Sequence, residues 1–175
     1  MRTKTKTLLF ISPLVFLTDQ VAKWIIIQTI PLSHPVPIIP DFFDLTHTRN
    51  PGAAFGAFAN LPDSIRLPFF FTTSTIALIA ILLYYFRLSD ERRSPFVALA
   101  LILGGALGNI FDRIFRGEVI DFLSFHWKNQ WVNGSIGTWN WHIKLEWPAF
   151  NVADAAITVG VIGLTFLLMK SKEKK

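Results

Sequence analysis

Two short segments of this chain place an acid among apolar and amide neighbours: Val119-Ile120-Asp121-Phe122 and Phe150-Asn151-Val152-Ala153-Asp154. Two carboxyl groups held close together cannot cheaply both ionise, so near neutral pH they share one proton. The ionised member can then accept a proton from water while the neutral one donates to a carbonyl oxygen. That is peptide hydrolysis without a serine, a cysteine or a metal. On sequence alone the proton belongs to the pair and to neither residue. Taken singly, each acid has a plainer reading. Asp154 could cap a helix start, where the dipole favours a carboxylate, and Asp121 could be a solvated loop acid.

Other chemistries find less support. The chain has no cysteine, which excludes a thiol nucleophile, a disulfide framework and cysteine-based zinc sites. His34, His47, His126 and His142 show no HExxH or other metal spacing. Serine elbows and phosphate-cradling glycine loops are absent. A metal held by Asp121, Asp154 and a histidine stays open, although no spacing supports it, and no cofactor is expected.

The elements that must position the acids are apolar runs. The chain's 175 residues suit one domain, and 51% of them are hydrophobic against 17% charged, with mean hydropathy +0.43. A water-soluble domain of this size needs more polar surface, so lipid is the natural solvent. Runs lie at Leu8–Ile27, Leu67–Phe86, Phe96–Phe111 and Val152–Met169. About 20 residues cross roughly 30 Å of hydrocarbon. With their flanks, these runs give spans at 8–27, 67–86, 96–113 and 151–169, with outer segments 28–66 and 114–150, in a single membrane domain. The first run starts like a signal peptide, but no small-x-small cleavage site follows and it continues apolar through Trp24–Ile27, so it reads as a span.

Charge then sets direction. Basic residues cluster at Arg2, Lys4 and Lys6, at Arg87, Arg92 and Arg93, and at Lys170, Lys172, Lys174 and Lys175. Four crossings put all three clusters on one side, which is the cytoplasmic one. The net charge of +5 is therefore an orientation signal, and no nucleic-acid partner is expected. Both acids fall at the opposite, outer face although they are 33 residues apart.

Several other polar residues sit where lipid makes them costly. Asp19 and Lys23 are four apart on one helix face, and either hold a helix end or face a substrate. Asn50-Pro51-Gly52-Ala53-Ala54-Phe55-Gly56 reads as a tight turn, or as a small-residue approach with Asn50 holding an extended peptide. Gly104 and Gly108 have the small-xxx-small spacing of a membrane helix-packing face. Arg113 shares a face with Asn109, and Asp112-Arg113 could be an interfacial charge cluster. Residues 31–48, with four prolines and the Ile38-Ile39 pair, read as strand and turn. The 126–147 stretch holds five of the six tryptophans, with Asn133-Gly134 as the expected turn. Tryptophan favours the headgroup layer, so this stretch is expected on the membrane surface.

In order along the chain, the motifs are Asp19-Gln20-x-x-Lys23, Asn50-x-Gly52-x-x-Phe55-Gly56, Gly108-Asn109-x-x-Asp112-Arg113, Val119-x-Asp121-Phe122 and Phe150-Asn151-x-Ala153-Asp154. Each is weak alone. Together, on four spans, the chain resembles the bacterial lipoprotein signal peptidases, or signal peptidase II. The resemblance implies an aspartic endopeptidase of the inner membrane, with its site facing the periplasm or cell exterior. Asp121 and Asp154 would be its dyad. Asp19, Lys23, Asn50, Gly52, Gly108, Asn109, Arg113, Asn151 and Ala153 would position the substrate or support the acids. The implied partners are membrane lipids, prolipoproteins cut on the N-terminal side of a diacylglyceryl-modified lipobox cysteine, and globomycin-like inhibitors.

The expected fold class is an all-α membrane protein: four transmembrane helices, a small extracytoplasmic β-like cradle from 31–48, and a surface helix or flap at 126–147. That last segment looks long for the family, and is read as a flap resting on the membrane. A transporter would spread its acids through the bilayer depth, whereas these gather at the outer third. A non-catalytic scaffold would have no need of five polar motifs.

Overall fold

The computed structural model describes residues 3–52, 58, 61–88 and 94–172. Ala53–Gly56, within the second motif, lie outside the described residues, as do Arg2, Arg92, Arg93, Lys174 and Lys175 of the basic clusters. The elements in chain order are α1 (Thr3–Thr29), β1 (Val36–Ile39), β2 (Phe43–Asn50), α2 (Asp63–Arg87), α3 (Ser94–Phe115), β3 (Val119–Ile136), β4 (Trp139–Phe150) and α4 (Val152–Lys172). All four helices are long and apolar enough to cross a membrane.

The third helix is the hub. Two-thirds of its apolar window is buried inside the protein, against 6% for α2, whose surface is left to lipid. Small residues explain the difference. A Cβ on Gly104 would lie 2.6 Å from the Ser12 carbonyl oxygen of α1, and one on Gly105 would lie 2.4 Å from the Ala153 carbonyl oxygen of α4. Backbones can approach that closely only where no side chain intervenes. Ser12 Oγ also donates to the Ala100 carbonyl at 3.0 Å, tying α1 to α3.

The label all-α is too narrow. The outer segments form a four-stranded antiparallel sheet in the order β1-β2-β3-β4. Strands β1 and β2 meet at Ile39-Pro40-Asp41-Phe42, closed by a Phe42 N–H to Ile39 carbonyl bond of 3.1 Å. Proline presets the first central position and Asp41 takes the positive φ of +64° at the second, as a type II turn requires. Between Leu45↔Leu123 and Thr48↔Asp121 the register slips, so Thr46 and His47 together oppose Phe122. This bulge bends β2 and lets His47 Nδ1 reach the Ile30 carbonyl at 3.0 Å, at the end of α1.

The tryptophan-rich stretch is neither a helix nor turned at Asn133-Gly134. It is a β-hairpin formed by β3 and β4, and its two-residue turn is Gly137-Thr138, with φ +62° at Gly137. Gly134 serves packing instead. The Trp141 indole of the opposite strand occupies the space that a Cβ there would need, 2.0 Å away.

Strand alternation seats the sheet on the helices. Ile120 and Phe122 point one way and form a buried cluster with Ile26 and Ile30 of α1. Asp121 therefore projects from the other face, together with Val119.

Candidate active site

Asp121 is 2% exposed, so it is not a solvated loop acid. Its Oδ2 accepts from Asn50 Nδ2 at 2.9 Å and its Oδ1 accepts from Asn151 Nδ2 at 2.7 Å. Burial pushes its carboxyl up to about 7. The charge of nearby Asp154 adds to that rise, while the two amide hydrogen bonds and the Lys23 charge oppose it.

Asp154 lies in the first turn of α4, at the positive end of the helix dipole. Its Oδ1 accepts from Asn109 Nδ2 at 2.7 Å. The residue that caps this helix is Asn151, whose Oδ1 accepts the Asp154 backbone N–H at 2.9 Å. One asparagine thus holds Asp121 through its amide nitrogen and sets Asp154 through its oxygen.

In each of the three asparagines, a group that can only donate occupies the oxygen. Asn151 Oδ1 faces the Asp154 N–H, Asn50 Oδ1 faces the Gly52 N–H at 3.0 Å, and Asn109 Oδ1 faces the Lys23 ammonium at 3.2 Å. Each amide must therefore turn its NH2 toward a carboxyl oxygen, which leaves no ambiguity between the two ends. Asn50 thus closes a local turn through its oxygen while its Nδ2 binds Asp121.

Beneath the acids is a buried ionic cluster. Lys23, Asp19 and Asp112 are all 0% exposed. Lys23 Nζ lies 2.8 Å from Asp19 Oδ2 and 2.7 Å from Asp112 Oδ2. Arg116 pairs with Asp112 at the cluster's edge, giving two positive and two negative charges. Burying ions is tolerable only when pairing and hydrogen bonds are nearly complete. Here Asp19 Oδ1 accepts the Ala153 N–H at 2.9 Å, and Asp112 Oδ2 accepts the Ile120 N–H at 3.2 Å. The cluster thereby fixes the residue before each acid's neighbourhood: Ile120 adjoins Asp121, and Ala153 adjoins Asp154. Asp19, paired with Lys23, thus accepts a backbone N–H at the start of α4.

Gly108 makes this possible, since a Cβ there would meet Asp19 Oδ2 at 2.7 Å. Arg113 extends from α3 over the Phe70 ring, 4.7 Å from its centroid, and its Nη2 donates to the Gly52 carbonyl at 3.2 Å. Next to these residues opens a cavity of about 550 Å³, lined among others by Asn50, Asn109, Arg113, Trp147, Asp154 and Thr158. Its walls are mostly apolar, with the Asn50 and Asn109 amides, the Arg113 guanidinium and the Asp154 carboxylate among them, which suits an extended peptide or an acyl chain beside a polar reacting bond.

All eleven residues named from the sequence, Asp19, Lys23, Asn50, Gly52, Gly108, Asn109, Arg113, Asp121, Asn151, Ala153 and Asp154, gather in this region. Asp112 is more than an interfacial charge, being the second buried partner of Lys23. Gln20, a motif residue with no role assigned from the sequence, and Arg116, outside every motif, join them: Gln20 Nε2 donates to Asp19 Oδ2 at 3.0 Å and Arg116 Nη1 donates to Gln20 Oε1 at 2.8 Å. Arg116 follows Asp112 by four, just past the end of α3, and its backbone N–H still donates to the Asp112 carbonyl at 2.7 Å, so the two side chains meet as helical neighbours would.

Residues 11–170 match the family described as Signal peptidase (SPase) II. The chain is similar to the lipoprotein signal peptidase of Syntrophotalea carbinolica, 41% identical over 89% of this chain and 86% of that one. It is likewise similar to that of Geobacter sulfurreducens, 42% identical over 90% and 88%. Among solved structures, one bacterial membrane enzyme matches with TM-score 0.78 and 32% identity, over 97% of this chain and 92% of the other. A second matches with TM-score 0.75 and 33% identity, over 94% of each.

Proposed function

The chain belongs to the signal peptidase II family, and we propose that Asp121 and Asp154 are the proton-sharing pair with which it cuts its substrate. Family membership makes it an aspartic peptidase of the bacterial membrane that removes signal peptides from prolipoproteins. The observation that carries the dyad is Asn151, which binds the Asp121 carboxylate and the Asp154 backbone together.

In this reading Asp121, whose carboxyl titrates at about 7, holds the shared proton. Asp154 takes a proton from a water molecule as that water attacks the scissile carbonyl carbon. Asp121 donates to the carbonyl oxygen, giving a neutral tetrahedral diol. Return of the proton from Asp154 to the amide nitrogen, with Asp121 taking one from a hydroxyl, breaks the C–N bond and restores the pair. Asn50, Asn109 and Asn151 keep the carboxyl oxygens in place through these transfers. Arg113 and the Gly52 segment line the approach. The buried cluster of Asp19, Lys23 and Asp112 positions the strand and helix that carry the acids, with Gly108 and Ala153 leaving room for it.

The preferred substrate is a prolipoprotein whose lipobox cysteine carries diacylglycerol, cut on that residue's N-terminal side. Two acyl chains hold such a substrate at the bilayer surface, and the apolar cavity beside Asp154 offers them a wall. Globomycin-like peptides would compete there. Both termini and the 87–95 loop are placed in the cytoplasm and the acids at the extracytoplasmic face, a reading supported by the basic clusters that flank the helices.

The test gives purified enzyme in lipid a diacylglyceryl-modified prolipoprotein, beside Asp121→Asn and Asp154→Asn. Each variant is expected to lose signal-peptide release while still migrating as a folded protein. Release by either variant at near the parent rate would sink the dyad, and loss of the parent's activity to a chelator would sink the metal-free step.

A further inference from the structure

Peptide hydrolysis leaves the outer half of the β3–β4 hairpin without a task. The pairing of β2 with β3 ends at Phe43↔Phe125, after which β3 and β4 continue alone as a two-stranded ribbon to the Gly137-Thr138 turn. Such a ribbon is marginal in water unless another surface supports it.

This ribbon has two unlike faces. Cross-strand partners share a face, and Val132, Ile136, Trp139, Trp141, Leu145 and Trp147 fall on one side by register and alternation. Asn133, Ser135, Asn140, His142 and Glu146 fall on the other, together with Trp131. At the ribbon's tip this face is left open by the described residues: Ile136 is 74% and Trp139 73% exposed. It also runs into the membrane surface of the bundle. Trp147, on the same face, lines the cavity together with Val159 of the membrane-crossing helix α4, and Val159 is itself 61% exposed.

We propose that the ribbon lies along the bilayer with this face sunk into the headgroup layer and Asn133, Asn140 and His142 turned to water. The occupant is lipid because the face continues a lipid-facing helix wall and consists of tryptophan and aliphatic side chains, which suit that layer. The ribbon then fixes the tilt of the sheet carrying Asp121 and sets a lipid-lined lip at the cavity mouth. This rests on the four-helix membrane frame and is independent of which acids react.

Because the chain has no cysteine, single cysteines can be introduced and spin-labelled without a background. Ile136→Cys and Trp139→Cys report the apolar face, and Ser135→Cys and Asn140→Cys the polar one. Each full-length variant is reconstituted into vesicles of phosphatidylethanolamine and phosphatidylglycerol. Relaxation is then compared with oxygen, which partitions into lipid, and with a water-soluble nickel chelate. The expected pattern alternates: the oxygen-to-chelate ratio at 136 and 139 is several-fold higher than at 135 and 140. Equal chelate access on both faces would overturn the proposal, leaving a ribbon in water. Shielding of 136 and 139 from both reagents would overturn it in favour of a protein partner. Oxygen dominance that appears only after a prolipoprotein is added would assign the face to substrate. No arm measures cleavage, so failure of the dyad leaves the result unaffected.

Discussion

Replacing Asn50 with alanine removes one of two amide donors to Asp121, the 2.9 Å bond to Oδ2. The bond stabilises the ionised carboxylate, so its loss must raise the pH at which that acid deprotonates. A hydrogen bond to a charged group is worth about 1.5 to 3 kcal/mol, and one pH unit corresponds to about 1.4 kcal/mol. Asp121 is 2% exposed, so solvent screening offers little discount. The change is therefore roughly one to two pH units, toward the lower end if water enters the vacated space. Activity needs one proton on the pair, and the parent's alkaline limb is expected at about 7, where Asp121 loses its own. The assay is the pH dependence of kcat/KM for release of a fluorescent signal peptide from a lipidated substrate. In Asn50→Ala the alkaline limb should move upward by that amount. Asn50→Asp keeps the acceptor for the Gly52 N–H but adds a negative charge beside Asp121, so its limb should move up further. An unmoved limb in both variants, or a downward shift in either, would refute the electrostatic account of the site.

Two further outcomes follow from the buried charges. Lys23→Met leaves the buried Asp19 without its cation and Asp112 with Arg116 alone, and should lower unfolding free energy by about 3 to 5 kcal/mol; adding Asp19→Asn should recover part of it in a detergent unfolding titration. For Asp121 the folded carboxyl titrates above its ordinary 3.8, at about 7, so the folded state binds the proton more tightly. Its contribution is favourable at low pH and is lost as pH rises through that window, amounting to about 4 kcal/mol when complete. Asp121→Asn should therefore gain thermal stability over the parent at pH 8 and show little difference at pH 4; equal differences at both would count against it.

Much of the site was legible because its chemistry is local in type. A lysine or an aspartate in an apolar run must have a partner, so Asp19 and Lys23 announced themselves. The Asn151-x-x-Asp154 spacing is that of a helix start. What could not be read was the second partner of Lys23, since Asp112 comes from another helix 89 residues later and its motif looked like a surface cluster. The hairpin was hidden for a different reason. Asn133-Gly134 is a strong turn signal, but the Trp141 ring needed the space beside Gly134, and the chain turned at Gly137 instead. The strict alternation of Trp139 through Trp147 was the better guide.

By itself, the sequence determined a membrane protein of four apolar helices with two acids at one face. That follows because crossing lipid demands length and apolarity, which are one-dimensional properties. Only the tertiary structure decided that Asp121 is a buried strand residue, that each asparagine presents its NH2 to an acid, and that a charge-balanced cluster supports both carboxylates. Those depend on how closely α1, α3 and α4 pack, which the missing Cβ atoms allow: Gly104 and Gly105 admit neighbouring backbone, and Gly108 admits the Asp19 carboxylate. A glycine's identity is plain in the sequence, but the atom that fills the space beside it is not.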